Sequence, residues 1–492
     1  MKSRLWLWSI TICLCVVLIL TSQVAAQTVP QHHPRHHQYR LYDVGTFGGP
    51  SAYGSSGAIS LSTAGATGAA DTSISDPFYP YCFLDCFVSH AFLWRNGHGT
   101  DLGALPGNND GNSSYGFAIN NSGLVVGISE NGTTDPATGF PSTSPVAWLY
   151  GHIFNLGGFG GTQGAAYTVN SRGQIVGYST NAIPDLYAFN AYFPSTTQVR
   201  AFVWELGKMR DIGTLGGPDA AALVISDSGL VIGQSYTSFT PDPDIGHPIA
   251  DPFLWDGRRM IDLGSLGGVG GIPQWVNNQG QVVGYSLLPS TGKVHAFLWD
   301  RGRLTDMTPY PSASGAFWIN EAGVITGFDA PYAVVWKHGK RTALGSLPGY
   351  DVWATGVSIN NSNQVVGYAF SDDWFSTVGF LWENGDMVDL NALVQPPSDI
   401  TVTEPLQIDD RGEIISYAAD AEGNVRAVVL VPNGDCDWGC EQRIADHQNR
   451  PLVVRPKNNA LTMPRFGKPA DGLRKPLGPR PDMMSPHPIP LN

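Results

Sequence analysis

The chain has 492 residues and is rich in glycine and proline, with 59 and 36 copies, whereas only 14% of its residues are charged. Hydrophobic residues make up 42% and aromatic residues 11%, which supplies a large core and excludes a disordered chain. Because long solvent-exposed helices need many charged residues, the composition predicts a turn-rich, all-β protein.

The net charge of −13 is unevenly distributed along the chain. Residues 41–432 contain 15 basic and 35 acidic residues, a net charge of −20, whereas residues 433–492 carry a net charge of +3. A body this acidic repels phosphate backbones, so we expect no nucleic-acid partner.

Residues 1–26 have the pattern of a secretory signal peptide. Lys2 and Arg4 provide the positive start, an apolar stretch follows, and small residues end the segment at Ala26. Cleavage after Ala26 predicts a secreted or extracellular protein without a transmembrane segment in its mature chain, and the periplasm or the cell surface are alternatives. An uncleaved membrane anchor is a further alternative, although the apolar stretch is short for a span.

Residues 27–40 form a histidine-rich linker before the body of the chain. His32, His33, His36 and His37 cluster there. We interpret this cluster as a solvated spacer, with weak binding of a transition metal as the alternative.

Four cysteines remain after the signal peptide, as two pairs separated by three residues: Cys82 with Cys86, and Cys436 with Cys440. An oxidising compartment predicts two local disulfides. Four cysteines allow three connectivities, and a shared zinc site is another alternative, although the spacing fits zinc poorly. We expect no metal and no cofactor.

A sequence repeat organises residues 41–432. Its most regular element is an aromatic strand that ends in Trp, which recurs about every 48 residues, the period of a propeller blade. An Asp-Leu-Gly strand follows, then an Asn-x-x-Gly turn and a Val-Val-Gly strand. The eight aromatic strands are 90–94, the strand ending at Trp148, 200–204, 252–255, 295–299, the strand ending at Trp336, 379–382 and 426–430.

The glycines of the repeat predict special backbone geometry. The glycine that ends each turn predicts a positive φ, and Asn363, which replaces it once, is the next-best residue for that conformation. The glycine of the Val-Val-Gly strand predicts a close backbone approach.

Four strands in each of eight units predict an eight-bladed β-propeller, with seven blades as the rival and a β-helix as a weaker alternative. The chain begins with an Asp-Leu-Gly strand near Asp43 and ends with an aromatic-type strand at 427–431, so we expect these two to pair and close the ring. Residues 433–492 contain the second cysteine pair and are predicted to be disordered beyond it.

The His-Ala-Phe-Leu-Trp, Asp-Leu-Gly-x-Leu-Gly-Gly and Ile-Asn-x-x-Gly-x-Val-Val-Gly segments together resemble the bacterial HAF-type extracellular repeat proteins. The resemblance covers roughly 41–432 and implies a secreted bacterial repeat protein, without catalytic residues to transfer. Units one, six and eight depart most from the pattern: Ser416 replaces the strand glycine, and Leu430 replaces the tryptophan.

Successive connections of a meander alternate between two faces. The Trp-x-x-Gly and Asn-x-x-Gly turns therefore share one face, the turn face, and the long variable loops share the other, the loop face. Variable loops on a rigid scaffold usually carry function, so the loop face is the candidate ligand surface, with packing of its loops on one another as the favoured alternative. The candidate ligand-binding residues are Tyr79, Tyr81, Tyr187, Tyr192, Phe193, Tyr236, Asp242, Asp244 and Trp374.

The repeated residues themselves are better explained by structure than by chemistry. We interpret the repeated Trp and Phe as core, and the repeated Asp as an acceptor for backbone donors near a turn. No metalloprotease, hydrolase-elbow or phosphate-binding motif occurs. The resulting hypothesis is a monomeric, non-enzymatic binding protein for a glycan or an extracellular protein. A carbohydrate-active hydrolase or lyase and a purely structural surface protein are the alternatives.

Overall fold

The structure is a computed structural model that describes residues 36–53, 60–77, 86–106, 111–189, 194–289, 293–308, 312–372, 374, 376–436, 440, 442–444 and 446. The predictions for the signal peptide, for His32 and His33, for Cys82 and for the tail beyond 446 concern residues outside these ranges. No helix within them is long and apolar enough to cross a membrane.

The strands form eight antiparallel blades, so the predicted eight-bladed propeller is confirmed. Blade 1 contains β2 (Gly48–Tyr53), β3 (Ser60–Ser62), β4 (Gly65–Ser75), β5 (Phe87–Arg95) and β6 (His98–Asp101). Blade 2 contains β7 (Ser114–Ile119), β8 (Val125–Thr134), β9 (Pro141–Leu149) and β10 (His152–Asn155). Blade 3 contains β11 (Gly160–Val169), β12 (Ile175–Pro184), β13 (Thr197–Glu205) and β14 (Lys208–Asp211). Blade 4 contains β15 (Ala220–Ile225), β16 (Val231–Tyr236), β17 (Ala250–Trp255) and β18 (Met260–Asp262).

The second half of the ring repeats the same order. Blade 5 contains β19 (Gly271–Val276), β20 (Val282–Leu287), β21 (Val294–Asp300) and β22 (Arg303–Asp306). Blade 6 contains β23 (Ser314–Ile319), β24 (Ile325–Asp329), β25 (Tyr332–Lys337) and β26 (Lys340–Ala343). Blade 7 contains β27 (Trp353–Ile359), β28 (Val365–Phe370), β29 (Thr377–Glu383) and β30 (Asp386–Asp389), followed by the short helix α1 (Leu390–Leu393). Blade 8 contains β31 (Thr401–Ile408), β32 (Ile414–Ala419), β33 (Val425–Asp435) and β1 (His37–Asp43).

Blade 8 joins the two ends of the repeat region, as the sequence predicts. The strand β1 pairs antiparallel with β33, and Leu41 lies opposite Leu430. Pairing continues to His37 opposite Asp435, so both strands run past the predicted boundaries at 41 and 432. The prediction of a solvated linker is therefore wrong for residues 36–40, because residues 37–40 belong to a strand that pairs with β33 and His36 is buried.

The repeated aromatic residues form the core between blades, as predicted. Five Phe residues at equivalent positions are fully buried: Phe92, Phe202, Phe253, Phe297 and Phe380. The repeated Asp is confirmed as a backbone acceptor. The Asp211 carboxylate accepts the Gly213 N–H at 2.8 Å and also pairs with Arg200 of β13.

The strand glycine permits a close approach at a β-bulge. In blade 3, the register of β11 with β12 shifts between Ala166 and Thr168. A Cβ atom on Gly177 would lie 2.0 Å from the Ala165 carbonyl oxygen. Only glycine fits beside this bulge, which explains its recurrence in the Val-Val-Gly strand.

The second cysteine pair forms the predicted local disulfide between Cys436 and Cys440. Both cysteines are buried in a core cluster with Leu393 of α1, and Ile444 packs against that cluster. The pairing of Cys82 with Cys86 stays a prediction.

Candidate functional site

A cavity of about 550 Å³ lies on the axis of the propeller and opens on the turn face. Its walls are the turn-face halves of the innermost strands, β3, β7, β11, β15, β19, β23, β27 and β31, and its mouth is formed by the turns that follow those strands. We call it the axial pit. Its size is within the range of small-molecule sites, and it opens on the face opposite to the predicted ligand surface.

Aromatic side chains supply much of the wall of the axial pit. Trp275 and Trp318, from adjacent blades, stack with their ring centroids 3.5 Å apart and their planes 19° apart. Tyr167 lies beside Phe117, with 5.7 Å between ring centroids. Tyr167, Trp275 and Trp318 are partly exposed, and all three line the pit. Their rings therefore offer apolar surface to a ligand.

Polar side chains form a connected rim at the mouth of the pit. Asn278 accepts the Ser228 N–H at 2.8 Å and donates its amide to Glu321 at 2.9 Å. Glu321 donates its N–H to Asn361, whose amide donates to Asp410 at 2.8 Å. These bonds join blades 4 to 8, so the rim is fixed before any ligand arrives.

The asparagine of the Asn-x-x-Gly turn has a second function that the sequence analysis did not predict. Its side-chain oxygen holds its own turn, because Asn360 Oδ1 accepts the N–H groups of Ser362 and Gln364. Its amide also reaches the next blade, where Asn360 Nδ2 donates to the Asp409 carbonyl at 3.0 Å. Equivalent inter-blade bonds start from Asn120, Asn170, Asn277 and Asn320.

The inner end of the pit is lined by a residue from the loop face. Phe189, in the connection between β12 and β13, lies in the pit wall together with Val199. Its ring packs edge-on against Tyr236, with 4.3 Å between centroids. The Tyr236 hydroxyl donates to the Tyr187 carbonyl at 2.9 Å.

Five of the predicted loop-face residues lie in the described part of the chain, and these five do not form one exposed site. Tyr236 is fully buried, and Tyr187 packs against the same cluster, so both fit the packing alternative. Asp242 accepts the N–H of Asp244 in a turn, and Asp244 is exposed. Trp374 is 50% exposed and lies against Phe370. The predicted residues Tyr79, Tyr81, Tyr192 and Phe193 lie outside the described part of the chain.

The sequence did not predict the residues of the axial pit, because the repeat was recognised by the positions that are alike in every blade, and the pit residues stand at positions that vary. Trp275 and Trp318 both stand two residues before the turn asparagine, a position that is Thr168 in blade 3 and Ala118 in blade 2. A large aromatic residue at a position that varies between repeats was the available signal.

Comparison with known proteins adds little beyond the geometry. No protein-family model matches the chain, and no curated protein matches its sequence. An acylaminoacyl peptidase in complex with a chloromethyl ketone is 11% identical, with a TM-score of 0.38 over 63% of this chain and 50% of that one. This chain thus spans about half the length of that peptidase.

Two further solved structures are similar at the same low level. An oligogalacturonate lyase in complex with manganese is 14% identical, with a TM-score of 0.38 over 82% of this chain and 97% of that one. A sialidase of Trypanosoma rangeli is 9% identical, with a TM-score of 0.28 over 56% of this chain and 55% of that one. At such low TM-scores these similarities carry no weight for the function of this chain.

Proposed function

We propose that this chain is a secreted binding protein that holds a neutral carbohydrate in the axial pit without transforming it, and that it is one of the HAF-type repeat proteins it resembles. One observation carries the binding proposal. The partly exposed rings of Tyr167, Trp275 and Trp318 line a cavity whose mouth is a fixed ring of amides and carboxylates. Secretion rests on the signal-peptide pattern of residues 1–26.

The chemistry of the pit matches a sugar. A sugar ring has an apolar C–H face that packs on aromatic rings, and hydroxyls that bond with amides and carboxylates. Because the rim is held by its own hydrogen bonds, a ligand binds with little ordering cost. The negative charge of the body, with Asp227, Glu321 and Asp410 at the mouth, disfavours an anionic ligand.

The described rim carboxylates favour binding over catalysis. Asp227 accepts the Ser171 N–H at 2.8 Å, Glu321 accepts the Asn278 N–H, and Asp410 accepts the Asn361 N–H at 2.9 Å. Each of these acids is therefore engaged in joining two blades. Glycoside hydrolysis needs a pair of carboxyl groups free to transfer a proton and stabilise a cation.

The mature protein should be screened on a glycan array together with three variants. We expect Trp318→Leu to weaken binding of the best ligand by about tenfold or more, because a central aromatic contact is lost. Trp318→Phe should keep much of the affinity, since an aromatic face remains. Trp374→Leu, on the loop face, is the matched control and should bind like the unmodified protein.

Three results would argue against this proposal. Loss of binding in Trp374→Leu with retention in Trp318→Leu would return the ligand to the loop face. Release of shortened products from the bound glycan would favour the hydrolase or lyase. Absence of binding to any glycan by the folded protein would favour a protein ligand or a structural function.

A further inference from the structure

A second cavity of about 280 Å³ lies on the turn face, between blades 7 and 8. We call it the clasp pocket, because His37 of β1 and Pro432 of β33 form part of its wall. In most other blades the aromatic strand ends in a Trp-x-x-Gly turn, whereas β33 runs on and pairs with β1. The pocket therefore lies where two separate strands close the ring.

The axial pit and the clasp pocket share part of their walls. Asp410 and Arg411, in the turn after β31, line both cavities. In the neighbouring turn of blade 7, Asn361 lines the pit and the next residue, Ser362, lines the clasp pocket. The Asn361 amide donates to Asp410 Oδ2 at 2.8 Å, so one hydrogen-bonded contact between turns separates the two cavities. A ligand that leaves the mouth of the pit over these turns therefore reaches the clasp pocket directly.

Most charged side chains of the clasp pocket are paired within the protein. His37 Nδ1 lies 2.8 Å from Glu383 Oε2. Arg411 Nε lies 2.9 Å from Asp409 Oδ2, and its Nη2 lies 2.6 Å from Glu413 Oε2. Because these charges are offset by their partners, the pocket suits a neutral polar ligand better than an ion.

The clasp pocket also has a polar group that is free to contact a ligand. Ser362 is exposed, and its hydroxyl makes no hydrogen bond within the described part of the chain. The hydroxyl of Ser122, at the same turn position in blade 2, instead donates to Asn120 Oδ1 at 2.7 Å. A free hydroxyl both donates and accepts, so Ser362 can pair with a sugar hydroxyl without breaking an existing bond.

A buried hydroxyl without a partner lies beside the same pocket. Tyr39 is fully buried, and its hydroxyl has no hydrogen-bond partner within the described ranges. A Cβ atom on Gly412, which lines the pocket, would lie 3.9 Å from that hydroxyl. Buried polar groups in native proteins are almost always paired, so this hydroxyl supports a polar molecule on the Gly412 side of the pocket.

We infer that the chain binds an oligosaccharide rather than a single sugar, with one part of the oligosaccharide in the axial pit and the adjoining part in the clasp pocket. This inference rests on the proposed function and adds to it the size of the ligand and the path of its chain across blades 7 and 8. The pit supplies aromatic rings for the faces of the sugar, whereas the clasp pocket supplies hydrogen-bonding groups for its hydroxyls. A longer chain therefore gains contacts that a short one lacks.

Calorimetric titration of the mature protein with neutral oligosaccharides of increasing length tests the inference. The probes are maltose to maltohexaose, cellobiose to cellohexaose, and the best glycan of the array with its shortened fragments. In each series that binds, we expect the longest member to bind at least about tenfold more tightly than the shortest, because only the longer chain reaches the clasp pocket.

Two leucine variants at equivalent serines assign this gain to the clasp pocket. Ser362→Leu removes the free hydroxyl and fills part of the pocket, so it should weaken binding of the longest member about tenfold and change that of the shortest by less than about twofold. Ser122→Leu is the matched control, because Ser122 is also exposed but lines neither cavity. This control should bind every member like the unmodified protein.

Equal affinity for the shortest and longest members would overturn the inference, as would an affinity for the longest member that Ser362→Leu leaves unchanged. Either result would leave the proposed function in place, since short glycans would still bind in the pit. Absence of binding to every probe and every glycan of the array would instead contradict the proposed function, and the inference with it.

Discussion

Asn320 illustrates how one side chain of the repeat serves two blades at once. Its Oδ1 accepts the N–H of Ala322 at 3.1 Å and of Val324 at 2.9 Å, which holds the turn. Its Nδ2 donates to the Asn360 carbonyl at 3.0 Å, which holds the next blade. Only a carboxamide supplies acceptor and donor together in this geometry.

In blade 8, the turn has no asparagine side chain to donate a hydrogen bond to the next blade. Asp409 stands at the asparagine position, and its carboxylate accepts the N–H groups of Arg411 and Glu413. It cannot donate to blade 1, and Arg411 Nη2 makes that bond instead, to the Ser62 carbonyl at 3.3 Å. The ring of inter-blade bonds thus continues from blade 8 into blade 1 through a different residue.

We therefore predict that Asn320→Asp lowers the free energy of unfolding by about 1–3 kcal/mol, because the buried Asn360 carbonyl loses its donor and faces a carboxylate. The control is Glu422→Gln at an exposed turn position of blade 8, where the change should stay within about 0.5 kcal/mol. Chemical denaturation measures both. Equal stability of the two variants would mean that the inter-blade bond of Asn320 contributes little.

At the scale of elements, the pairing of β1 with β33 is reinforced by an ion pair at its start. His37 Nδ1 lies 2.8 Å from Glu383 Oε2, and the His37 N–H donates to Glu383 Oε1 at 2.9 Å. The hydrogen bond that the His37 ring donates to Glu383 raises the pKa of His37. Glu383 is buried, but its hydrogen bonds with His37 and Gln364 and its contact with His36 outweigh that burial and lower its pKa.

The signs of these two shifts define a pH window. The raised pKa of His37 stabilises the fold below the ordinary His value, and this contribution is lost as the pH rises through the raised value. The lowered pKa of Glu383 stabilises the fold above the ordinary Glu value, and this contribution is lost as the pH falls through the lowered value. The ion pair is therefore fully formed near pH 5.5, and it is lost as the pH rises through the raised pKa of His37.

A glutamine amide can replace the hydrogen bond of a neutral imidazole, but it cannot replace the positive charge of the protonated ring. We therefore predict that His37→Gln lowers the melting temperature more at pH 5.5 than at pH 9. His98→Gln, at an exposed histidine of β6, is the control and should change the melting temperature equally at both pH values. An equal effect of His37→Gln at the two values would show that the charge does not strengthen the pairing of β1.

The strands and turns of the blades could be predicted from the sequence, because each recurring residue is required by the backbone geometry at its own position. Gly177 marks a bulge and the turn asparagines mark a tight turn, and neither depends on which blade is its neighbour. The start of β1 at His37 was not predictable from such signals, because residues 36–40 carry no repeat motif. Their conformation is set by the edge of β33, which lies at the far end of the chain.

At the scale of the whole molecule, the axial pit is a product of ring closure. The innermost strand of each of the eight blades contributes a few residues to the wall of the pit. Trp275 and Trp318 are separated by a whole repeat in sequence but stack in space. The sequence predicted the ring but assigned the ligand surface to the loops, because no local pattern shows which face the cavity opens on.

The central claim is that the ligand binds in the axial pit from the turn face. Hydrogen–deuterium exchange with and without the best ligand from the glycan array tests it most directly. We predict increased protection at backbone amides of the turn face, such as those of Ser171 and Asn278, and unchanged exchange at Asp244 and Trp374 on the loop face. Increased protection confined to the loop face would contradict the claim.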